Sequence, residues 1–265
     1  MNSKPNLRLA LVQCEIESND VEKNLTFVSN TVSANASLAD MVIFPETITT
    51  GFSPDASQYA DEWEHGRVYQ TLRQLAQEHQ TAICASYLVG DGNLRVNRFV
   101  LFDESGSVQW QDKRHLFSFG GEPDMVSATE ERRILTYRGW RILPIICYDL
   151  RFPVWCRNVQ NEYDVLICLA NWPKPRREVW STLLRARAME NLAYSIGVNR
   201  VGVDTSGLVY TGDSALFDSR GRLVATCSDG ASEVALVELE YAPLLDLRQK
   251  FPVWQDADAF TLHIQ

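Results

Sequence analysis

The chain has 265 residues, of which 45% are hydrophobic, 22% charged and 10% aromatic, with 14 glycines and 10 prolines. This composition excludes a disordered, collagen-like or low-complexity protein and supplies a large core that needs no disulfide or metal staple. A formal net charge of −9 argues against a nucleic-acid partner, while leaving room for a local cationic site for a small anion.

In chain order, apolar runs of strand length occur at 7–12, 41–44, 81–88, 99–102, 141–146, 165–170, 194–198 and 233–237. Most show little polar alternation, as expected of strands covered on both faces. Between them, Val68, Leu72, Leu75 and Ala76 stripe a helix near 67–79, and Trp180, Leu183, Leu184, Ala188 and Leu192 stripe another near 177–193. Asp103-Glu-Ser-Gly106 and Asp218-Ser-Arg-Gly221 read as hairpin turns. The alternation predicts a layered α/β fold with mixed sheets. No Pro/Gly/Ser-rich linker interrupts residues 1–265, so one domain is expected. The tetrapeptide Phe-Pro-Val-Trp occurs at 152–155 and 251–254 without any wider repeat.

No run is long enough to span a membrane, and the N-terminal segment lacks the apolar stretch of a signal peptide, so a cytoplasmic protein with no membrane partner is expected. The six cysteines form no C-x-x-C and the four histidines no H-E-x-x-H. Reduced thiols and no metal site follow.

Three apolar strands end in reactive side chains: Met41-Val-Ile-Phe-Pro-Glu46, the hairpin return Val108-Gln-Trp-Gln-Asp-Lys113, and Ile142-Leu-Pro-Ile-Ile-Cys147. Each taken alone reads as a loop acid, a basic surface loop and a small core residue. Together they suit amide chemistry, because carboxyl ends of strands in α/β sheets face a shared crevice. A cysteine is only a few per cent thiolate near neutrality and needs a base or a neighbouring cation. Glu46 could take the thiol proton and return it to the leaving nitrogen. Lys113 could hold the oxyanion formed when Cys147 attacks a carbonyl, with the backbone N–H of Tyr148 as a second donor. His115 is the competing base, but Lys113 and Arg114 beside it disfavour the imidazolium that role requires.

Phe44-Pro-Glu46, Asp112-Lys113-Arg114-His115-Leu116-Phe117 and Ile146-Cys147-Tyr148-Asp149-Leu150-Arg151-Phe152-Pro153 resemble, in that order, the three signature segments of the nitrilase or carbon–nitrogen hydrolase superfamily. The resemblance implies a four-layer α-β-β-α sandwich, a Glu46-Lys113-Cys147 catalytic triad and no cofactor. It also implies a second glutamate in the loop after the lysine motif, matched by Glu122, which read from sequence alone is equally an exposed loop acid. Longer matches around Cys147, Ala170-Asn-Trp-Pro173 and Phe251-Pro-Val-Trp254 are similar to the ω-amidase branch, implying hydrolysis of the terminal amide of 2-oxo dicarboxylic acid monoamides.

A substrate with a free carboxylate needs a cation, and Arg151 lies four residues beyond Cys147; the competing reading is an ion pair with Asp149 or Asp164. Trp172, just after the run at 165–170, is either a wall of the crevice or ordinary packing. Another member of the superfamily acting on an N-carbamoyl compound, an aliphatic amide or a nitrile is the alternative function. A non-catalytic scaffold would be expected to have lost one of the three reactive residues, and all three are present. The resemblance further implies a homodimer or higher homo-oligomer, with residues 251–265 as a tail at its interface.

Overall fold

The computed structural model describes residues 4–53, 55–91 and 94–261. The elements in order are β1 (Leu7–Gln13), α1 (Val21–Asn35), β2 (Met41–Ile43), β3 (Asp61–Glu62), α2 (Arg67–His79), β4 (Ala82–Asp91), β5 (Leu94–Phe102) and β6 (Val108–Asp112). They continue with β7 (Leu135–Tyr137), β8 (Trp140–Ile146), α3 (Pro153–Cys156), β9 (Val165–Ala170), α4 (Arg177–Asn191), β10 (Tyr194–Asn199), β11 (Val201–Val203) and β12 (Val209–Thr211). The last are β13 (Ala215–Phe217), β14 (Leu223–Thr226), β15 (Glu233–Leu239) and α5 (Tyr241–Lys250).

Two sheets carry the fold. One runs β15-β1-β2-β4-β5-β6 with β3 added beside β4, and the other runs β14-β13-β10-β9-β8-β7. Both have three central parallel strands (β1-β2-β4 and β8-β9-β10) flanked on either side by antiparallel partners. The two sheets therefore repeat one strand arrangement, the first completed by β15 from the C-terminal part of the chain, although no sequence periodicity announces it.

Alternation within each strand builds the layers. Leu7, Leu9, Leu11, Met41, Ile43 and Cys84 of the first sheet meet Ile142, Ile146, Val165, Ile167 and Ile196 of the second in one core between the sheets. The opposite residues, Ala10, Val12, Val42 and Ile83, pack under Leu25, Val28 and Val32 of α1 and Val68 and Leu72 of α2. On the far side Leu143, Ile145, Leu166 and Cys168 pack under Trp180, Leu184 and Ala188 of α4. The result is the expected α-β-β-α sandwich.

Local chemistry sets the helix ends. The Asp20 carboxylate accepts from the Lys23 N–H at 3.0 Å and caps α1. The Asp61 carboxylate accepts from the Tyr69 N–H at 3.1 Å in the first turn of α2. Helices α1 and α5 lie outside the segments singled out above. Among the described residues no helix is long and apolar enough to cross a membrane.

Candidate active site

Glu46, Lys113, Cys147 and Asn171 each follow the end of a strand, β2, β6, β8 and β9 respectively, so the two sheets together present them at one rim. Pro45 ends β2, and Cys147 opens a 3₁₀ helix spanning Cys147–Arg151. Two non-glycine residues of this rim adopt left-handed backbone, Thr47 at φ 46° and Cys147 at φ 45°. Such strain persists only where surrounding contacts enforce it, and it clusters at functional sites.

The Lys113 ammonium donates to Glu46 Oε1 and to Glu122 Oε1, each at 2.9 Å, and all three side chains are almost fully buried. Burial opposes the charge on Lys113, but the carboxylates of Glu122 and Glu46 outweigh it and hold its pKa well above the ordinary value. Lys113 is thus a permanent cation. Glu122 Oε2 accepts from the Phe117 N–H at 2.6 Å, so Glu122 is an interior residue of the lysine loop rather than an exposed acid. Burial raises its pKa against the lowering effect of Lys113, and Glu46 adds to the rise.

Cys147 is partly accessible, through the cavity, whereas Cys14, Cys84, Cys156, Cys168 and Cys227 are buried, as packing residues should be. Enclosure by protein atoms pushes the Cys147 thiol well up, the Glu46 carboxylate pushes it further, and Lys113 only partly offsets them. The resting sulfur is therefore a thiol, and it lies 3.9 Å from the Asn171 carbonyl oxygen as a weak donor.

The surroundings of Glu46 were not legible in the sequence. Oε1 accepts from Asn97 Nδ2 at 2.9 Å as well as from Lys113, while Oε2 accepts from the Asn171 N–H at 2.8 Å and from Asn171 Nδ2 at 3.2 Å. Asn97 lies 51 residues away in sequence and Asn171 125. Asn97 lies between Val96 and Arg98, ahead of the apolar run of β5, so nothing in the sequence marks it although it is fully buried.

The cavity that these groups open into measures about 250 Å³ and is lined by Cys147, Lys113, Glu46, Tyr148, Arg151 and Trp172, among others. Tyr148 is the second residue of its 3₁₀ helix, where a backbone N–H has no partner within the helix. Among the described residues Arg151 has no carboxylate partner. Asp149 accepts instead from the His115 and Ile146 N–H groups, and Asp164 pairs with Lys4, Arg141 and Arg248. The ion-pair reading of Arg151 is thereby replaced by a guanidinium 5.1 Å from the centre of the Trp172 ring. Trp172 both lines the cavity and packs on Trp180 at 5.5 Å, so its two readings coexist. His115 stacks on Phe152 at 3.6 Å with Nδ1 2.8 Å from Asp149 Oδ1, and does not line the cavity. Among the described residues no group of three or more His, Cys, Asp or Glu side chains is arranged to hold a metal ion.

Comparison with known proteins gives the chain its family. The profile of the carbon-nitrogen hydrolase family matches residues 8–248. The chain is 40% identical over 258 residues to the omega-amidase YafV of Escherichia coli K12, covering 97% of this chain and 99% of that protein. It is 31% identical to a 2-oxoglutaramate amidase of Paenarthrobacter nicotinovorans, covering 97% of this chain and 91% of that one. In structure it superposes with a TM-score of 0.94 and 38% identity on XC1258 of Xanthomonas campestris, a CN-hydrolase superfamily protein with an arsenic adduct in its active site, covering 98% and 100% of the two chains. Matched over nearly its whole length in sequence and in fold, the chain belongs to the carbon-nitrogen hydrolase family.

Proposed function

We propose that the protein is an ω-amidase that hydrolyses the terminal amide of 2-oxo dicarboxylic acid monoamides, 2-oxoglutaramate and 2-oxosuccinamate, to the 2-oxo acid and ammonia. The observation that carries this reading is one cavity in which a thiol, a buried ammonium and a carboxylate meet an arginine that has no carboxylate partner among the described residues. Similarity to omega-amidases and 2-oxoglutaramate amidases supports the same substrate class.

In the proposed reaction Cys147 Sγ attacks the amide carbon as Glu46 takes the thiol proton. The oxyanion is held by Lys113 and the Tyr148 N–H, a role in which one donor is worth roughly 3 to 4 kcal/mol. Glu46 then protonates the departing nitrogen, ammonia leaves and a thioester remains. Water, deprotonated by Glu46, attacks the thioester, and the 2-oxo dicarboxylate departs as the proton returns to sulfur. Because the thiol starts protonated, a base is required rather than merely helpful. Glu122 keeps Lys113 in place through its Oε1, and Arg151 grips the substrate carboxylate bidentately beside Trp172. We further propose a homodimer whose interface includes the tail 251–265. Phe251 and Phe260 are exposed in the single chain, and residues 262–265 lie outside the described residues. Light scattering measures that mass directly.

The test is ammonia release from 2-oxosuccinamate or 2-oxoglutaramate by purified protein. Cys147→Ala, Glu46→Ala and Lys113→Ala are expected to lose activity by at least about a thousandfold, and His115→Ala to retain it. Silence of the wild type, or undiminished release by Cys147→Ala, overturns the reading.

A further inference from the structure

The cavity carries a second arginine that neither the catalytic motifs nor the proposed carboxylate grip uses. Arg176 lies in the 3₁₀ turn Lys174–Arg176 between β9 and α4, and its side chain lines the same cavity as Arg151 and Cys147. Its guanidinium lies 5.3 Å from the centre of the Phe117 ring, as that of Arg151 lies 5.1 Å from Trp172. Among the described residues neither guanidinium has a hydrogen-bond or ion-pair partner.

The carboxylates that could have neutralised Arg176 are committed elsewhere. Its neighbour Arg177 takes Asp213 at 2.5 Å and Asp229 at 2.9 Å. Asp204 does line the cavity, but its Oδ1 accepts from the Ser206 N–H, the Ser206 hydroxyl and the Leu208 N–H, and its Oδ2 from the Tyr210 hydroxyl. Glu46 is filled by Lys113, Asn97 and Asn171. Among the described residues the two cavity-lining guanidiniums are thus left without an anionic partner.

The turn that holds Arg176 is fixed. The Trp172 indole N–H donates to the Arg176 carbonyl oxygen at 2.8 Å, and the Trp172 backbone N–H donates to Asn199 Oδ1 at 2.8 Å. The Trp172 ring beside Arg151 is therefore also the brace for the Arg176 backbone. A guanidinium resting on an aromatic face keeps its fork of N–H donors directed sideways, towards a planar anion.

The geometry points to a two-arginine anion site in which Arg176 joins Arg151 in binding the end of the substrate that bears adjacent carboxylate and 2-oxo oxygens. One guanidinium fork satisfies a carboxylate, whereas the coplanar carboxylate and carbonyl of a 2-oxo acid offer acceptors along two edges, enough for a second. Arg176 on this account is the residue that sets preference for 2-oxo acid amides over neutral amides. The inference rests on the ω-amidase reading for its substrate, but the anion site can be measured without turnover.

The experiment is calorimetric titration of wild type, Arg176→Gln and Arg176→Lys with 2-oxoglutarate, alongside kcat and KM for 2-oxoglutaramate. Arg176→Gln is expected to raise both the product Kd and the substrate KM about tenfold or more, with kcat moved much less. Arg176→Lys, a point charge without the fork, is expected to fall between the two and serves if the Gln variant does not fold. An unchanged product Kd in either variant, or no binding of 2-oxoglutarate by the wild type, overturns the inference. If the wild type binds 2-oxoglutarate but releases no ammonia from 2-oxoglutaramate, the ω-amidase reading falls and the anion site stands.

Discussion

At Glu46, direction matters as much as distance. The Thr47 N–H donates to Ser86 Oγ at 2.9 Å, so the Ser86 hydroxyl hydrogen is free to be given to Asn97 Oδ1, 3.1 Å away. That fixes the Asn97 amide with Nδ2 towards Glu46 Oε1. Asn97 thereby positions the proposed base, which sits among Lys113, Glu122 and Cys147. Asn97→Leu removes a hydrogen bond to a charged group, typically worth about 1.5 to 3 kcal/mol. It is expected to lower kcat/KM about ten- to a hundredfold, because the carboxylate of Glu46 is no longer held in place. An unchanged kcat/KM in the folded variant would reduce Asn97 to a packing residue. Asn97 was silent in the sequence because an asparagine inside a strand has no characteristic spacing, whereas Glu46, Lys113 and Cys147 are recognisable by motif.

At the scale of elements, the nucleophile turn depends on α4. Arg187 on α4 donates to the Leu150 carbonyl oxygen at 2.7 Å and pairs with Glu190 at 2.8 Å, so the helix behind the second sheet holds the turn that carries Cys147. The seat of α4 on β10 depends on Gly197. A β-carbon there would lie 2.4 Å from Leu184 Cδ1 and 2.5 Å from Trp180 Cζ2. Gly197→Ala is expected to cost about 1 to 3 kcal/mol by overpacking and to lower Tm by several degrees in a thermal melt. The helical stripe of α4 was legible because Trp180, Leu184 and Ala188 recur every four residues, but which strand residue must be small beneath it was not. The strand β5 shows the same limit: the apolar run 99–102 marks only its second half, and pairing with β4 from Asp91↔Leu94 onwards extends it through Asn97.

Across the whole molecule, Asp164 ties distant parts together. Fully buried, it receives Lys4 from the N-terminal segment, Arg141 of β8 at 2.8 Å and Arg248 of α5 at 2.9 Å. Burial alone would raise its pKa, but the bonds from Arg141 and Lys4 more than offset this and leave it lowered. A depressed carboxyl contributes stability that is present above its unfolded value, about 3.9, and is lost as pH falls through its folded value. Asp164→Asn leaves these cations without their anion and is expected to cost about 3 to 5 kcal/mol near neutrality. The Tm gap between wild type and Asp164→Asn should narrow as pH falls from about 5 towards 2, and a gap independent of pH would refute the assignment. The overall charge of −9 likewise acquires a local meaning on the proposed function, because an acidic chain that is to take an anionic substrate must gather cations locally, and Lys113, Arg151 and Arg176 line one cavity.

The sequence by itself singled out Glu46, Lys113 and Cys147 as candidates for base, cation and nucleophile, and determined the family and the layered architecture, because motif spacing and apolar periodicity are properties of the chain read along its length. Only the tertiary structure decided that Glu46 accepts from four N–H donors, that Glu122 is interior, and that Arg151 and Arg176 line one cavity with no carboxylate partner among the described residues. Those facts depend on contacts between two sheets whose residues lie up to 125 positions apart, and hydrogen-bond partnership at about 3 Å is a property of packing that no spacing along the chain encodes.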